Sequence, residues 1–390
     1  MSRFHSYLQN SAKIVHSYKP GMPLHFKLKQ FFQSEKKYGS RDRKVISSLC
    51  YNYFRCFNLF KDSVFSENHF LNAVFLCEKK ETDILNALSP ELNERISLSI
   101  DQKLHYLGLG ASNVFGYNEL LSSLIDHNLY DFSFLKQPSL FLRIRPGKYQ
   151  KVIESIKSAQ ISFESINEIA LKITNGANLD KILQFNKDVV VQDFSSQIIF
   201  NDFVQLLKKN EVNNKLSVWD VCAASGGKSI LLYDLMKGNI KLTVSDIRRN
   251  ILNNLDSRLK DAGINIYKKF EQDLTLSSGL GKDEKFDVVI CDVPCSGSGT
   301  WGRTPEQHFS FNAQQLSSFV EKQKLIVKNA IPHVDENGFF VYITCSVFKS
   351  ENEEITNYIQ SEFALELIKM NYLKGYENNA DTMFTAIFRA

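Results

Sequence analysis

Apolar residues three and four positions apart dominate the first third of the chain. Leu24–Gln33 (LHFKLKQFFQ) and Lys44–Phe57 (KVISSLCYNYFRCF) carry this spacing, which predicts helices. Gly39-Ser40 stands before the second run as a break and a helix start. Alternating β-branched positions are few up to about residue 130, so residues 1–135 are expected to form an all-α domain. The pattern changes around Asp131–Pro138. Leu140–Ile144 (LFLRI) reads as a strand, Tyr149–Ala159 as a helix and Ile161–Phe163 as a second strand, which predicts a small α/β module over 136–200. From 201 to 390 the alternation becomes regular. Leu216–Asp220, Lys241–Asp246, Phe286–Asp292 and Phe339–Thr344 are short apolar runs, separated by helical stretches such as Ser229–Met236 and Asn250–Ala262. Strand, helix, strand over this length predicts parallel pairing with helices on both faces, a doubly wound sheet. Each run ends in a polar residue, at the strand edge where open α/β sheets bind ligands.

Composition adds limits. The chain has 390 residues, 43% hydrophobic and 23% charged, the profile of a globular protein of two or three domains. No apolar run is long enough to span a bilayer and the N-terminus lacks an apolar signal segment, so a cytoplasmic protein without membrane contact is expected. Seven cysteines without CxxC spacing argue for reduced thiols. Eight scattered histidines without a zinc pattern predict no structural metal. The net charge of +4 is uneven: residues 1–50 hold ten Lys or Arg against Glu35 and Asp42, whereas residues 351–390 hold three bases against seven acids. The basic stretch is either a solvated helix face or a phosphate-binding one.

Two loops carry candidate chemistry. Asp220–Lys228 (DVCAASGGK) joins a strand to a helix, and Gly226 and Gly227 allow a tight turn and close approach of a ligand. Asp246, twenty residues after Gly226, ends the next strand, where an acid can accept hydrogen bonds from a ribose diol; Asp273 follows a third short run. Neither GxGxxG nor GxxxxGK[ST] is present, which points away from a dinucleotide or a triphosphate and towards a compact adenosine ligand. Asp292-Val-Pro-Cys295 and Thr344-Cys345-Ser346 follow two further strands, so both thiols can reach one pocket. Cys50, Cys56, Cys77 and Cys291 read instead as small apolar core residues.

Residues 220–228 (DVCAASGGK), 292–299 (DVPCSGSG) and 344–346 (TCS), followed by Glu351-Asn352-Glu353, resemble the signature motifs of the RNA cytosine-5 methyltransferase family, the RsmB/Sun group. Upstream, Arg41-Asp42-Arg43 within YGSRDRKVI resembles the NusB-like helical domain of the bacterial small-subunit ribosomal RNA member. Leu142-Arg143 and Val191-Gln192-Asp193 resemble the short module that follows it. The resemblance implies a Rossmann-like class I methyltransferase domain over 201–390, with S-adenosylmethionine as cofactor and RNA, of ribosomal type, as partner; no obligate protein partner is evident. It further implies Cys345 as nucleophile, Cys295 as the residue assisting release, and Asp292 and Lys228 beside the reacting groups. The cofactor would meet Cys222, Ala223, Ala224, Ser225, Gly226, Gly227, Lys228, Asp246, Asp273 and Asp292, and RNA would meet Arg41, Arg43, Arg143 and Arg303. Cytosine explains the thiol: carbon 5 is a poor nucleophile until a thiolate adds to carbon 6, and an acid at N3, for which Asp292 is the candidate, would stabilise the charge that develops. The family loop usually reads CAAPGGKT, and Ser225 and Ser229 stand here for Pro and Thr. Loss of the preset proline turn is expected to loosen the loop and weaken cofactor binding. Two other readings remain open: a DNA cytosine-5 methyltransferase with Cys295 as nucleophile, and a non-catalytic RNA-binding or ribosome-assembly factor of the same fold.

Overall fold

The computed structural model describes residues 3–110, 114–210 and 214–390. It divides into two compact units, one of residues 1–138 and 300–313, the other of residues 139–299 and 314–390.

The first unit is helical. In helix Ser40–Arg55 the buried residues Ile46, Leu49, Cys50, Tyr53 and Phe54 fall three and four apart, and in Leu24–Ser34 the buried Leu24, Leu28 and Phe32 recur every four. That stripe is why these segments coil: one face of each meets the core. Gly39 precedes the longer helix, and its N–H donates to Asp42 Oδ2 at 3.0 Å, satisfying one donor at the helix start. The expectation of a contiguous domain over 201–390 needs correction at one place, since Thr300–Ala313 belongs to this helical unit. Trp301, Glu306 and His308 from that segment are buried. Glu306 Oε1 accepts from the Leu24 N–H at 2.9 Å, and the His308 ring stacks on Phe134 at 4.2 Å. Burial pushes the His308 imidazole down to about 3, so it is neutral in the core.

The second unit contains two sheets. The smaller has strands β1 (Leu140–Ile144), β2 (Phe163–Ser165), β3 (Ala170–Ile173) and β4 (Val189–Val191), all antiparallel in the order β2-β3-β1-β4. Helix Tyr149–Ser158 buries Val152, Ile153 and Ile156 against Leu142, Ile144 and Leu171 of this sheet. The second strand begins two residues later than Ile161, because Gln160 takes a left-handed φ of 54° and the Ile161 N–H still bonds back to Ile156 O.

The larger sheet has β5 (Leu216–Asp220), β6 (Ile240–Asp246), β7 (Tyr267–Glu271), β8 (Phe286–Asp292), β9 (Val334–Thr344), β10 (Glu366–Leu373) and β11 (Met383–Arg389), in the order β10-β11-β9-β8-β5-β6-β7. Strands β5 to β9 pair in parallel, as a doubly wound sheet requires, and β11 and β10 add an antiparallel edge. The central strands are buried on both faces, which is why they read as continuous apolar runs.

Candidate active site

Five strand ends supply the site, all within the second unit. After β5 the chain turns through Val221–Gly226 into helix Gly227–Leu235. The turn needs left-handed backbone at Ala224 (φ 47°) and Gly226 (φ 82°). A β-carbon on Gly226 would also lie 3.2 Å from Leu255 Cγ, so glycine serves both the angle and the close approach. A β-carbon on Gly227 would meet no atom within 4 Å, which leaves open space at the helix N-terminus. The Ala223 N–H donates to Ser245 O at 2.9 Å and the Ala224 N–H to Asp246 Oδ2 at 3.0 Å, fastening the turn to β6.

The two serines that stand where the motif they resemble carries Pro and Thr both have partners. Arg258 donates to Ser225 Oγ at 2.5 Å and to its carbonyl at 3.0 Å, so hydrogen bonds restrain the turn where a proline ring would. Ser229 Oγ donates to Asp220 Oδ2 at 2.6 Å. Asp220 is otherwise poorly served: Oδ1 is buried without a partner, and burial pushes the carboxyl up to about 7. Cys222, half-buried in the same turn, has its thiol pushed well above the usual range, by burial first and then by Asp246.

The predicted acids occupy successive strand ends. Asp246, nearly buried, accepts from the Arg248 N–H at 2.9 Å and from Arg248 Nε at 3.0 Å. Asp273 Oδ1 accepts from the Thr275 N–H at 2.9 Å and from its hydroxyl at 2.6 Å. Asp292 Oδ2 accepts from Lys228 Nζ at 2.5 Å. Burial pulls the Lys228 ammonium down, yet the Asp292 carboxylate outweighs it and holds the amine above its ordinary value, with Cys345 adding to the effect.

Strands β8 and β9 bring the two cysteines together. Asp292 lies opposite Ile343, and the Val293 N–H donates to Ile343 O at 3.1 Å, so the loops leave side by side. Cys295 Sγ and Cys345 Sγ are 3.4 Å apart. The Cys295 thiol is pushed well up, first by its hydrogen bond to Cys345 and then by burial. Gly299 makes the approach possible: its N–H donates to Cys345 O and its carbonyl accepts from the Thr382 N–H, both at 2.9 Å. A β-carbon on Gly299 would fall 2.0 Å from Thr382 O and 2.9 Å from Cys345 O.

The structure thus gathers Cys222–Lys228, Asp246, Asp273, Asp292, Cys295 and Cys345 at one sheet edge. The four arginines expected at RNA fare differently. Arg41 and Arg43 are exposed on the helical unit, Arg41 paired with Asp83 at 3.1 Å, and Arg303 lies in the segment that belongs to that unit. Arg143 is a correction: it is 1% exposed, bonded to Gln192 at 2.8 Å and to Asp234 at 2.5 Å, because β1 buries that position under helix Gly227–Leu235. Sequence reasoning gave no role to Glu351 or Arg258, whose partners lie far away along the chain. Among the described residues no group of His, Cys, Asp and Glu could hold a metal ion, and no helix is long and apolar enough to cross a membrane.

Comparison with known proteins finds similarity over the sheet-bearing part of the chain. Residues 204–387 match the family model of the 16S rRNA methyltransferase RsmB/F. That stretch, just under half of the chain, is similar to the family. The chain is similar to the probable ribosomal RNA small subunit methyltransferase B of Bacillus subtilis, 26% identical over 56% of this chain and 48% of that protein. It therefore spans about half the length of that curated relative. The crystal structure of PH0851 shares the fold over 99% of this chain and 98% of its own, with a TM-score of 0.69 and 18% identity. NSun6 from Pyrococcus horikoshii, solved with SFG, shares it over 70% of this chain and 97% of its own, at a TM-score of 0.59 and 14% identity.

Proposed function

We propose that this protein transfers a methyl group from S-adenosylmethionine to carbon 5 of a cytosine in RNA, with Cys345 as nucleophile and small-subunit ribosomal RNA as substrate. The observation that carries the reading is the pair of thiols 3.4 Å apart at adjoining strand ends, with the Lys228–Asp292 ion pair at the end of β8. The match of residues 204–387 to the RsmB/F family model and the name of the Bacillus subtilis relative support the RNA substrate. S-adenosylmethionine fits the residues present: open space faces Gly227 at a helix start, and Asp246, Asp273 and Asp292 offer acids for hydroxyl, amine and cationic groups. When bound, it supplies an electrophilic methyl on a cationic sulfur.

The chain's own groups then divide the work. Cys345, as thiolate, adds to carbon 6, and the electron pair this releases into the ring makes carbon 5 nucleophilic. Negative charge develops on the ring during addition, and the Lys228–Asp292 pair, which retains its ammonium proton, offers a hydrogen-bonding, positively charged end to stabilise it. Cys295 stays a thiol beside the attacking sulfur, so it can donate a hydrogen bond to the Cys345 thiolate. After methylation water takes the proton from carbon 5, the pair of that bond restores the 5,6 double bond, and the pair of the carbon 6–sulfur bond leaves on Cys345 as thiolate, with the Cys295 thiol assisting release by hydrogen-bonding the departing sulfur. Arg258 and Ser225 keep the cofactor turn in place. The NusB-like helical unit and the small antiparallel sheet are read as RNA-binding elements, with Arg41, Arg43 and Arg303 as phosphate contacts, and the site of action as the cytoplasm.

Transfer of tritiated methyl groups to RNA and DNA substrates tests the reading. Label in RNA that is lost with Cys345→Ala is the expected result. Label in DNA that depends on Cys295 would instead establish the DNA-type enzyme, and no label in either would leave a binding protein.

A further inference from the structure

Glu351 is wholly buried, and among the described residues no lysine or arginine pairs with it. A carboxylate out of water and without a counter-ion is unfavourable unless donors surround it. Here donors do. Oε1 accepts from the Ser296 N–H at 2.8 Å and from Gln323 Nε2 at 3.0 Å; Oε2 accepts from Ser296 Oγ and from Ser346 Oγ, each at 2.5 Å. Ser296 follows Cys295 and Ser346 follows Cys345, so a single carboxylate grips the residue next to each thiol. Its own segment is fixed in turn, because Tyr342 donates to Glu351 O at 2.8 Å and Asn352 Nδ2 donates to Ser346 O at 2.9 Å. Ser298 Oγ, 3.1 Å from Ser346 Oγ, accepts from the Val347 N–H at 3.0 Å and closes the same network.

We propose that Glu351 is a positioning residue: it ties the loop after β8 to the loop after β9, so that the Cys295 and Cys345 sulfurs meet. Only the kinetic part of this rests on the methyltransferase reading. The geometry explains why a charge is kept where a neutral side chain would be easier to bury. Four converging donors orient a carboxylate more strongly than an amide, which must turn one donor of its own into the cluster. The same charge disfavours a second negative charge on Cys295 and helps to keep that cysteine the thiol of the pair.

The test uses the full chain and dibromobimane, which fluoresces only when it has bridged two nearby thiols. The wild type should bridge Cys295 and Cys345, identified by peptide mass spectrometry. Glu351→Gln should bridge them about tenfold more slowly or worse, and should lower kcat on RNA by a similar factor with KM little changed, since displacement of reacting groups by about 1 Å costs rate rather than binding. Bridging and kcat equal to the wild type would overturn the proposal, showing Glu351 to be a spacer. If Glu351→Gln fails to fold by circular dichroism, Ser346→Ala takes its place. That variant keeps the carboxylate and removes one tether, and it should slow bridging about threefold; unchanged bridging overturns the proposal again. Slowed bridging in a wild-type background that methylates no RNA would uphold the positioning role and remove the methyltransferase reading alone.

Discussion

Replacing Asp220 by asparagine should flatten part of the pH dependence of folding. In the folded protein burial pushes this carboxyl from an ordinary 3.8 to about 7, with one hydrogen bond from Ser229 as partial compensation. A group whose pKa rises on folding keeps its proton in the native state over a range where the unfolded chain has lost it. Its contribution is therefore most favourable below the lower value and is lost as pH rises through the higher one. The gap of about three pH units corresponds to ~4 kcal/mol, lost between about pH 4 and pH 7. Asparagine cannot titrate, and its carbonyl can still accept from Ser229. Its amide will sit where Oδ1 now lacks a partner, so the absolute stability of the variant is less informative than its slope. Urea unfolding of both proteins at half-unit steps from pH 4.5 to 8 measures this slope. The wild type should lose stability relative to Asp220→Asn as pH rises, by a difference of order 3–4 kcal/mol across the range. Parallel curves would refute the argument, by showing that Asp220 ionises near its ordinary value or reaches water.

Three further outcomes follow from the geometry. Gly299→Ala should cost about 2–4 kcal/mol in chemical unfolding, because the new methyl meets backbone atoms that cannot rotate away and both loop hydrogen bonds are strained; it should also slow thiol bridging between Cys295 and Cys345. Cys295→Ala should accumulate a protein–RNA adduct that survives denaturing electrophoresis, whereas Cys345→Ala and the double variant should form none, and the opposite pattern would exchange the two roles. Arg143→Ala should destabilise by about 3 kcal/mol, the low end for a broken buried ion pair because Arg145 still holds Asp234, and should leave the salt dependence of RNA binding unchanged.

How much was legible in the sequence depended on how local the cause was. The parallel strands β5, β6, β8 and β9 announced themselves because burial on both faces demands unbroken apolar runs, and their polar last residues marked the ligand edge. The edge pair did not: β10 is largely exposed and mixed in character, and β11, though buried, is preceded by no crossover helix that would make it part of an alternation. Arg143 was placed at RNA on the strength of the resemblance, and a lone arginine in a strand gives no hint of an acid 91 residues further on. The same distance effect hid Arg258, which reaches Ser225 from the next helix, and Glu351, whose function in the fold appears only when two loops 50 residues apart close on it. Thr300–Ala313 could not be reassigned from its composition either, since aromatic residues suit any core.

That segment bears on the order in which the chain can be completed. A ribosome releasing this polypeptide delivers residues 1–138 early, but the helical unit still lacks Trp301, Glu306 and His308 at that moment. The Leu24 amide waits for its carboxylate acceptor and Phe134 for its stacking partner until residue 308 has emerged, when most of the 390 residues are already made. The N-terminal helices therefore cannot finish as an independent vectorial unit. The same reasoning makes a fragment cut at Pro138 an incomplete body with an open aromatic core, and makes the peptide bonds after Gly299 and Ala313 the two places where one folding unit is interrupted to supply another.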